Sequence, residues 1–134
     1  MKDRLFDTSS LLNVVRNKNS QSIKILNVQY ILGLTLYEVL NVIWKLSYRE
    51  KKITLEQAST LLDSILLLIQ RMKIVDINGL ERRVQELAIQ EGLTAYDASY
   101  LAVAEKLDLV LVTDDRELER VARKYVKVMK TTDL

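Results

Sequence analysis

The amino-acid sequence predicts an α/β fold, namely a three-layer α/β/α sandwich around a mainly parallel sheet of roughly five strands. One observation and one general rule lead to this prediction. Short apolar runs, several of which end in an acidic residue, alternate with longer segments whose apolar residues recur at helical spacing. Strands that are separated by helical crossovers pair in parallel, with helices on both faces of the sheet. We expect a single domain over residues 1–134, because this length is typical of one domain.

The predicted strands are short and apolar, as buried strands of a parallel sheet usually are. The first is the segment RLFD and the last is the segment VKVM. The five predicted strands cover residues 4–7, 28–32, 73–77, 109–112 and 126–129.

Helical patterns fill the intervals between the strands. Thr54 and Gln57 form a capping box at the start of one long helix, and Gly92 provides the stop of another. The predicted helices are the segment that begins with TSSLLNVVRN and residues 19–27, 34–50, 55–71, 80–91, 95–107 and 116–124.

Composition narrows the possible chemistry. Hydrophobic residues make up 49% of the chain and charged residues 28%, as in soluble globular proteins. Cysteine and histidine are both absent, which excludes disulfides, thiolate sites, zinc sites with histidine and all histidine-based catalysis. Carboxylates must therefore carry any catalysis, and any metal should be a hard, oxygen-liganded ion such as Mg²⁺ or Mn²⁺. The net charge of +2 does not by itself indicate nucleic-acid binding.

The apolar stretch 25–44 raises the question of a membrane span, because Glu38 is its only charged residue. Polar residues and a glycine interrupt the stretch, so we do not expect a span or any membrane association. Lys2, Asp3 and Arg4 do not resemble a secretory signal, and we expect a cytoplasmic protein.

Four acidic residues stand out because each occurs beside a predicted strand or within a predicted helix: Asp7, Glu38, Asp97 and Asp115. All but Glu38 have an alternative role as helix-capping residues, since each lies at the predicted start of a helix. Glu38 lies within an apolar helix, where an ionised carboxylate is costly unless it is paired. It could be neutral with a raised pKa, paired with a basic residue, or part of a functional site.

The joint pattern favours one shared site. In open parallel sheets, ligands bind beyond the carboxyl ends of the strands, where the strand order reverses. Asp7 closes the first predicted strand, and Asp114 and Asp115 follow the fourth. Two like charges about 4 Å apart repel by roughly 4 kcal/mol at an effective dielectric near 20, so a group of acids needs cations. The sequence therefore predicts a site for one or two divalent ions, which would suit phosphodiester hydrolysis.

Neighbouring polar residues are candidates for supporting roles. Ser9 and Thr113 have hydroxyls that could hold an acidic ligand or a metal-bound water in place. Asn41 could do the same for Glu38, one helical turn away. Asp114 competes with Asp115 as the fourth acid.

The segments LFDTSSLL, LYEVLNVIWK, GLTAYDASYLAVAEKL and LVTDDREL resemble the acidic motifs of PIN-domain ribonucleases, in order and in spacing. The resemblance is to the VapC-type toxins of toxin–antitoxin pairs in particular. It implies a PIN-like fold and a Mg²⁺- or Mn²⁺-dependent endoribonuclease, a hydrolase of RNA. The implied catalytic residues and metal ligands are Asp7, Glu38, Asp97 and Asp115, the last in a T-x-D motif that begins with Thr113.

The resemblance also implies an RNA substrate, a homodimer and a small antitoxin partner. Apolar residues at helical spacing along 55–72 are either a face buried within the domain or an intersubunit face. Arg116 adjoins a proposed ligand and is the candidate for contact with RNA phosphates.

Two other functions remain possible from the sequence alone. One is a noncatalytic binding module with the same PIN-like fold. The other is a phosphoaspartate-type phosphoryl-transfer protein, although the acidic pair Asp114 and Asp115 comes late for a receiver domain and Ser9 occupies the position where a phosphatase would need a second aspartate.

Overall fold

The computed structural model describes residues 2–134 and confirms the predicted α/β class. Five parallel strands form one sheet with the order β3-β2-β1-β4-β5. The strands are β1 (Arg4–Phe6), β2 (Tyr30–Leu32), β3 (Lys73–Val75), β4 (Val110–Val112) and β5 (Val128–Met129).

The helices occupy the intervals in which helical spacing predicts them. They are α1 (Thr8–Asn17), α2 (Ser22–Leu26), α3 (Gly33–Trp44), α4 (Leu55–Ile69), α5 (Glu81–Glu91), α6 (Ala95–Leu107) and α7 (Arg116–Ala122). Short helical turns cover Asn19–Gln21, Lys45–Arg49 and Thr131–Asp133.

Alternation of side chains along the strands produces a core on each face of the sheet. Leu5 and Leu111 pack with residues of α5, α6 and α7, whereas Phe6 and Val112 pack with residues of α1 to α4. The helices thus cover both faces, which gives the three layers of the predicted sandwich.

Several predicted boundaries are wrong by a few residues. The predicted strand 28–32 begins at Tyr30, because Val28 adopts a positive φ of 55° and its N–H bonds the carbonyl of Arg71. The α-helical part of the predicted helix 34–50 ends at Trp44 and continues as a wider π-helical turn. The predicted helix 19–27 is divided between the turn Asn19–Gln21 and α2.

The capping predictions for the two long helices are confirmed. Gln57 N–H donates to the Thr54 hydroxyl at 3.1 Å, and the Gln57 side chain accepts from Thr54 N–H at 2.8 Å. Gly92 ends α5 with a φ of 70°, a left-handed conformation that glycine adopts without steric cost.

The apolar pattern along 55–72 faces mainly the interior of its own domain. Ala58, Ile65 and Ile69 are buried in the core against α2 and α3, whereas Leu55 and Leu67 are exposed. None of the helices in residues 2–134 is both long and apolar enough to cross a bilayer.

The strand order reverses between β1 and β4, and this is where a ligand site is expected in such a sheet. Phe6 pairs in register with Val112, so the residues that follow these two strands emerge side by side. Asp7 therefore lies next to Thr113, beyond the carboxyl edge of the sheet.

Candidate active site

Asp7 connects β1 to α1, and its carboxylate accepts four hydrogen bonds. One carboxylate oxygen accepts from Ser10 N–H at 2.9 Å, from the Ser10 hydroxyl at 2.9 Å and from the Ser9 hydroxyl at 2.8 Å. The other oxygen accepts from the Thr113 hydroxyl. The bond from Ser10 N–H makes Asp7 the N-cap of α1, so the capping role and a place at the sheet edge are both fulfilled.

Burial has a clear electrostatic effect on this carboxylate. Asp7 is only 5% exposed, and the burial raises its pKa even though hydrogen bonds from Thr113, Ser10 and Ser9 act in the opposite direction. All of its donors are uncharged. The negative charge of Asp7 is therefore oriented but not neutralised by the contacts that surround it.

Glu38 lies in the second turn of α3 and faces hydroxyl groups. Its Oε1 atom accepts hydrogen bonds of 2.7 Å from both the Thr8 and the Tyr100 hydroxyls. Tyr100 also shares a 2.7 Å hydrogen bond with Thr35. No lysine or arginine in residues 2–134 forms an ion pair with Glu38, which removes the pairing with a basic residue as an explanation for its place in an apolar helix.

Asp97 lies in the first turn of α6, and the other three predicted acids lie near enough to affect its pKa. Thr94 caps the helix by accepting from Asp97 N–H at 3.1 Å. Burial and then the charges of Asp115, Asp7 and Glu38 raise the pKa of Asp97 to about 6. The fold therefore brings the four predicted acids into one region, where the charges of the other three act on Asp97.

Asp115 and its neighbour Asp114 have different environments. Asp115 is exposed and caps α7 by accepting from Leu118 N–H at 3.0 Å. Asp114 accepts from the Asn13 side chain at 2.6 Å and from the Thr131 backbone and hydroxyl at 2.9 and 2.7 Å. Partial burial of Asp114 raises its pKa, but these hydrogen bonds outweigh that effect and lower it overall. This contrast favours Asp115 as the fourth acid, because Asp114 ties α1 to the C-terminal segment.

The donor chemistry of this region fits a hard divalent cation. The side chains that converge are carboxylates and hydroxyls, which are the oxygen ligands that Mg²⁺ and Mn²⁺ prefer. Besides burial, the charges of Asp115, Asp7 and Glu38 raise the pKa of Asp97, so a cation placed there would face several negative charges. In the described part of the chain, no three acidic side chains already form a group with the spacing of a metal centre.

The predicted supporting residues have mixed outcomes. Ser9 and Thr113 both contact Asp7, as their positions suggest. Asn41 does not contact Glu38 among the described hydrogen bonds; Thr8 and Tyr100 hold that carboxylate instead. The sequence does contain a signal for Tyr100, since it lies one helical turn after Asp97.

Other candidate residues lie around this centre. Arg116 is exposed at the first position of α7, directly after Asp115. A cleft of about 630 Å³ opens beside Glu38, with Thr8 and Ser9 also in its lining. Aromatic and apolar side chains make up most of the remaining lining.

Two curated relatives come from Pyrobaculum aerophilum. Exonuclease VapC9 is 43% identical over 88 residues, which are 66% of this chain and 62% of that protein. Ribonuclease VapC3 is 34% identical over 87 residues, which are 65% of this chain and 66% of that protein. The similarity thus spans slightly less than two thirds of the length of each relative.

The fold has a close counterpart among solved structures. The crystal structure of PAE2754 from Pyrobaculum aerophilum superposes with a TM-score of 0.82 at 30% identity, covering 98% of this chain and 85% of that one. Residues 4–124 match the family model described as the PIN domain. This match covers most of the chain and includes all four acids, and the protein therefore belongs to the PIN-domain family.

Proposed function

We propose that the protein is a metal-dependent ribonuclease that hydrolyses RNA phosphodiester bonds, as the toxin of a toxin–antitoxin pair. The observation that carries this proposal is the gathering of the four acids at one edge of the sheet, where Thr113 joins Asp7 to Asp115 and where burial, and then the charges of the other three acids, raise the pKa of Asp97 to about 6. The names of the relatives VapC9 and VapC3, an exonuclease and a ribonuclease, support nuclease chemistry.

Asp7, Glu38, Asp97 and Asp115 would hold one or two Mg²⁺ or Mn²⁺ ions. When bound, such ions lower the pKa of a water molecule and stabilise the charge that develops on phosphate oxygens. Other side chains of the protein orient these carboxylates. Hydroxyl donors fix Asp7 and Glu38 without cancelling their charges, so both carboxylates keep their affinity for a cation.

Ser9 and Thr113 would act as supporting residues of Asp7 in this site. Thr113 also accepts from Asp115 N–H at 3.0 Å, so a single hydroxyl orients parts of two proposed ligands. Arg116 would contact RNA phosphates from the exposed start of α7.

The partners of the protein follow from its family resemblance and are part of the proposal. They are an RNA substrate, a small antitoxin and a second copy of the chain in a homodimer. We further propose that cleavage is endonucleolytic and takes place in the cytoplasm. A circular RNA distinguishes the two cleavage modes, because an exonuclease needs a free end and an endonuclease does not.

The central experiment measures cleavage of a labelled single-stranded RNA with Mg²⁺ or Mn²⁺ and with EDTA. We expect metal-dependent cleavage that Asp7→Asn or Asp97→Asn abolishes, whereas Asp63→Asn, an exposed acid of α4, leaves it unchanged. Mn²⁺ should also raise the melting temperature of the unmodified protein by mass action, but not that of Asp97→Asn. Retained cleavage in both site variants would refute the proposed site.

The alternative of a noncatalytic binding module predicts a different result. Such a module would bind a partner, but it would cleave no RNA and gain no thermal stability from Mn²⁺. A phosphoryl-transfer protein would instead be modified by, or hydrolyse, a small aryl phosphate.

A further inference from the structure

Two exposed tyrosines line the cleft beside the acidic site. Tyr37 is 75% exposed and Tyr96 is 61% exposed, although tyrosine is on average intermediate between the buried and the exposed residue types. They occur in matching segments, LTLYE and LTAYD, so each tyrosine directly precedes a proposed acidic ligand. Tyr37 projects from α3 and Tyr96 from α6, so two separate helices each contribute one ring to the same cleft.

The chemistry of the cleft indicates what kind of group it accepts. Leu12, Leu34 and Val42 make much of its wall apolar, and the volume of about 630 Å³ is that of a small-ligand site. Glu38 is the single charged residue in the described lining, so the cleft has no cation to hold a phosphate. A flat, neutral, aromatic group is the best match to these walls.

We propose that this cleft binds an unpaired base of the RNA, stacked on Tyr37 and Tyr96, while the adjoining phosphate lies at the acidic site. This inference rests on the proposed ribonuclease function, and it assigns Tyr37 and Tyr96 as the residues that hold the base. A base inside a duplex is stacked on its neighbours and cannot enter, whereas an unpaired base offers its faces to aromatic side chains.

The position of the cleft supports this occupant. Thr8, Ser9 and Glu38 belong both to the cleft lining and to the hydrogen-bonded surroundings of the acids, so the two spaces are continuous. A base bound there would place its own phosphate beside the proposed ligands. Asn41, exposed in the same lining, offers an amide donor and acceptor to the edge of that base.

The experiment compares binding of labelled oligonucleotides in Mg²⁺ by fluorescence anisotropy. The protein carries Asp115→Asn, which prevents turnover under the proposed function and keeps a good N-cap residue for α7. The ligands are a single-stranded RNA, the same RNA as a duplex, and a single-stranded RNA with abasic positions.

Stacking by each ring predicts that Tyr37→Ala and Tyr96→Ala weaken single-strand binding by about 5- to 100-fold, whereas Tyr37→Phe and Tyr96→Phe stay close to the parent. The abasic strand should bind weakly to every variant. Tyr48→Ala removes an equally exposed tyrosine that does not line the cleft, and it should have little effect.

Unchanged binding in both alanine variants, or equal affinity for the duplex, would overturn the inference. The same conclusion follows if sedimentation shows that Tyr37→Ala and Tyr96→Ala dissociate a dimer while RNA affinity stays constant, because the occupant is then a second copy. Binding that depends on the tyrosines without any cleavage by the unmodified protein would refute only the nuclease proposal. Cleavage with tyrosine-independent binding would refute only the stacking site.

Discussion

The Tyr100 hydroxyl donates a 2.7 Å hydrogen bond to Oε1 of Glu38, across 62 positions of the sequence. Tyr100 is only 1% exposed, and burial raises the pKa of its phenol, so it remains a neutral donor. The same hydroxyl reaches Thr35, which lies one turn before Glu38 on α3. The α6 helix therefore sets the position of the one proposed ligand that lies on α3.

Removal of the Tyr100 hydroxyl should leave the Glu38 carboxylate less well positioned. We expect Tyr100→Phe to weaken Mn²⁺ binding about tenfold, with a stability loss of about 1 kcal/mol, because one buried hydrogen-bond donor is lost. The measurement is the Mn²⁺ concentration that half-maximally raises the melting temperature. Tyr125→Phe is the matched control, since Tyr125 donates a 2.5 Å hydrogen bond to Glu91, away from the acids. Equal Mn²⁺ affinity of the two variants would show that Tyr100 does not position Glu38.

Thr113 should be sensitive to loss of its hydroxyl rather than to loss of volume. Its side chain is completely buried and donates to Asp7 while accepting from Asp115 N–H. Thr113→Val leaves a carboxylate oxygen without its donor and should cost about 1–3 kcal/mol of unfolding free energy and most of the RNA cleavage. Thr113→Ser keeps the hydroxyl and should retain most of the activity. Chemical denaturation and cleavage rates of the two variants provide the test, and similar losses in both would contradict it.

The raised pKa of Asp97 predicts how stability depends on pH in metal-free solution. The pKa rises from an ordinary value of 3.8 to about 6, so between these values the folded protein holds a proton that the unfolded chain releases. Stability contributed by this group is therefore present at low pH and is lost as the pH rises from 4 to 6. Asp97→Asn should remove that loss and be more stable by about 1–2 kcal/mol at neutral pH, after allowance for solvent screening.

Denaturation of both proteins in EDTA at several pH values measures this difference. The gap between Asp97→Asn and the unmodified protein should be small at pH 4 and should widen towards pH 7. A gap that is independent of pH would show that neither burial nor the charges of the other acids raise the pKa of Asp97.

Substitutions of Asp114 and Asp115 should have different effects on stability and on RNA cleavage. Asp114→Ala removes the acceptor for Asn13 and Thr131 and should cost about 1–3 kcal/mol of stability while cleavage persists below the new melting temperature. Asp115→Ala removes a helix cap, at about 1 kcal/mol, and should abolish cleavage. Thermal melts and cleavage assays on the same preparations provide the comparison. If Asp114→Ala abolished cleavage and Asp115→Ala retained it, Asp114 would be identified as the fourth acid.

The fold class was predictable because apolar runs, capping residues and helix stops all act locally. Thr54 with Gln57 and Gly92 mark helix ends through contacts within one helical turn or one backbone conformation. The exact ends of β2 and α3 were not predictable in this way. The start of β2 depends on a hydrogen bond between Val28 and Arg71, residues that are far apart in the sequence.

The candidate site was likewise predictable only in part. Residue type and strand-end position were enough to predict that Asp7 and the pair after β4 lie at one edge of the sheet, because parallel strands end at a common edge. The environment of Glu38 was not accessible from the sequence, since Thr8 and Tyr100 reach it from α1 and α6. Asn41 lies one turn from Glu38 and was the residue that the sequence suggested, yet hydroxyls from other helices donate the hydrogen bonds to the carboxylate.

The hydrogen bond from Thr113 to Asp7 joins residues 106 positions apart. A ribosome that has made about the first hundred residues has thus synthesised Asp7, Glu38 and Asp97, but not the strand that fixes the first of them. The nascent chain therefore has no finished centre until β4 is released and inserts beside β1. Under the proposed function, an incomplete nascent chain would not cleave the mRNA that encodes it.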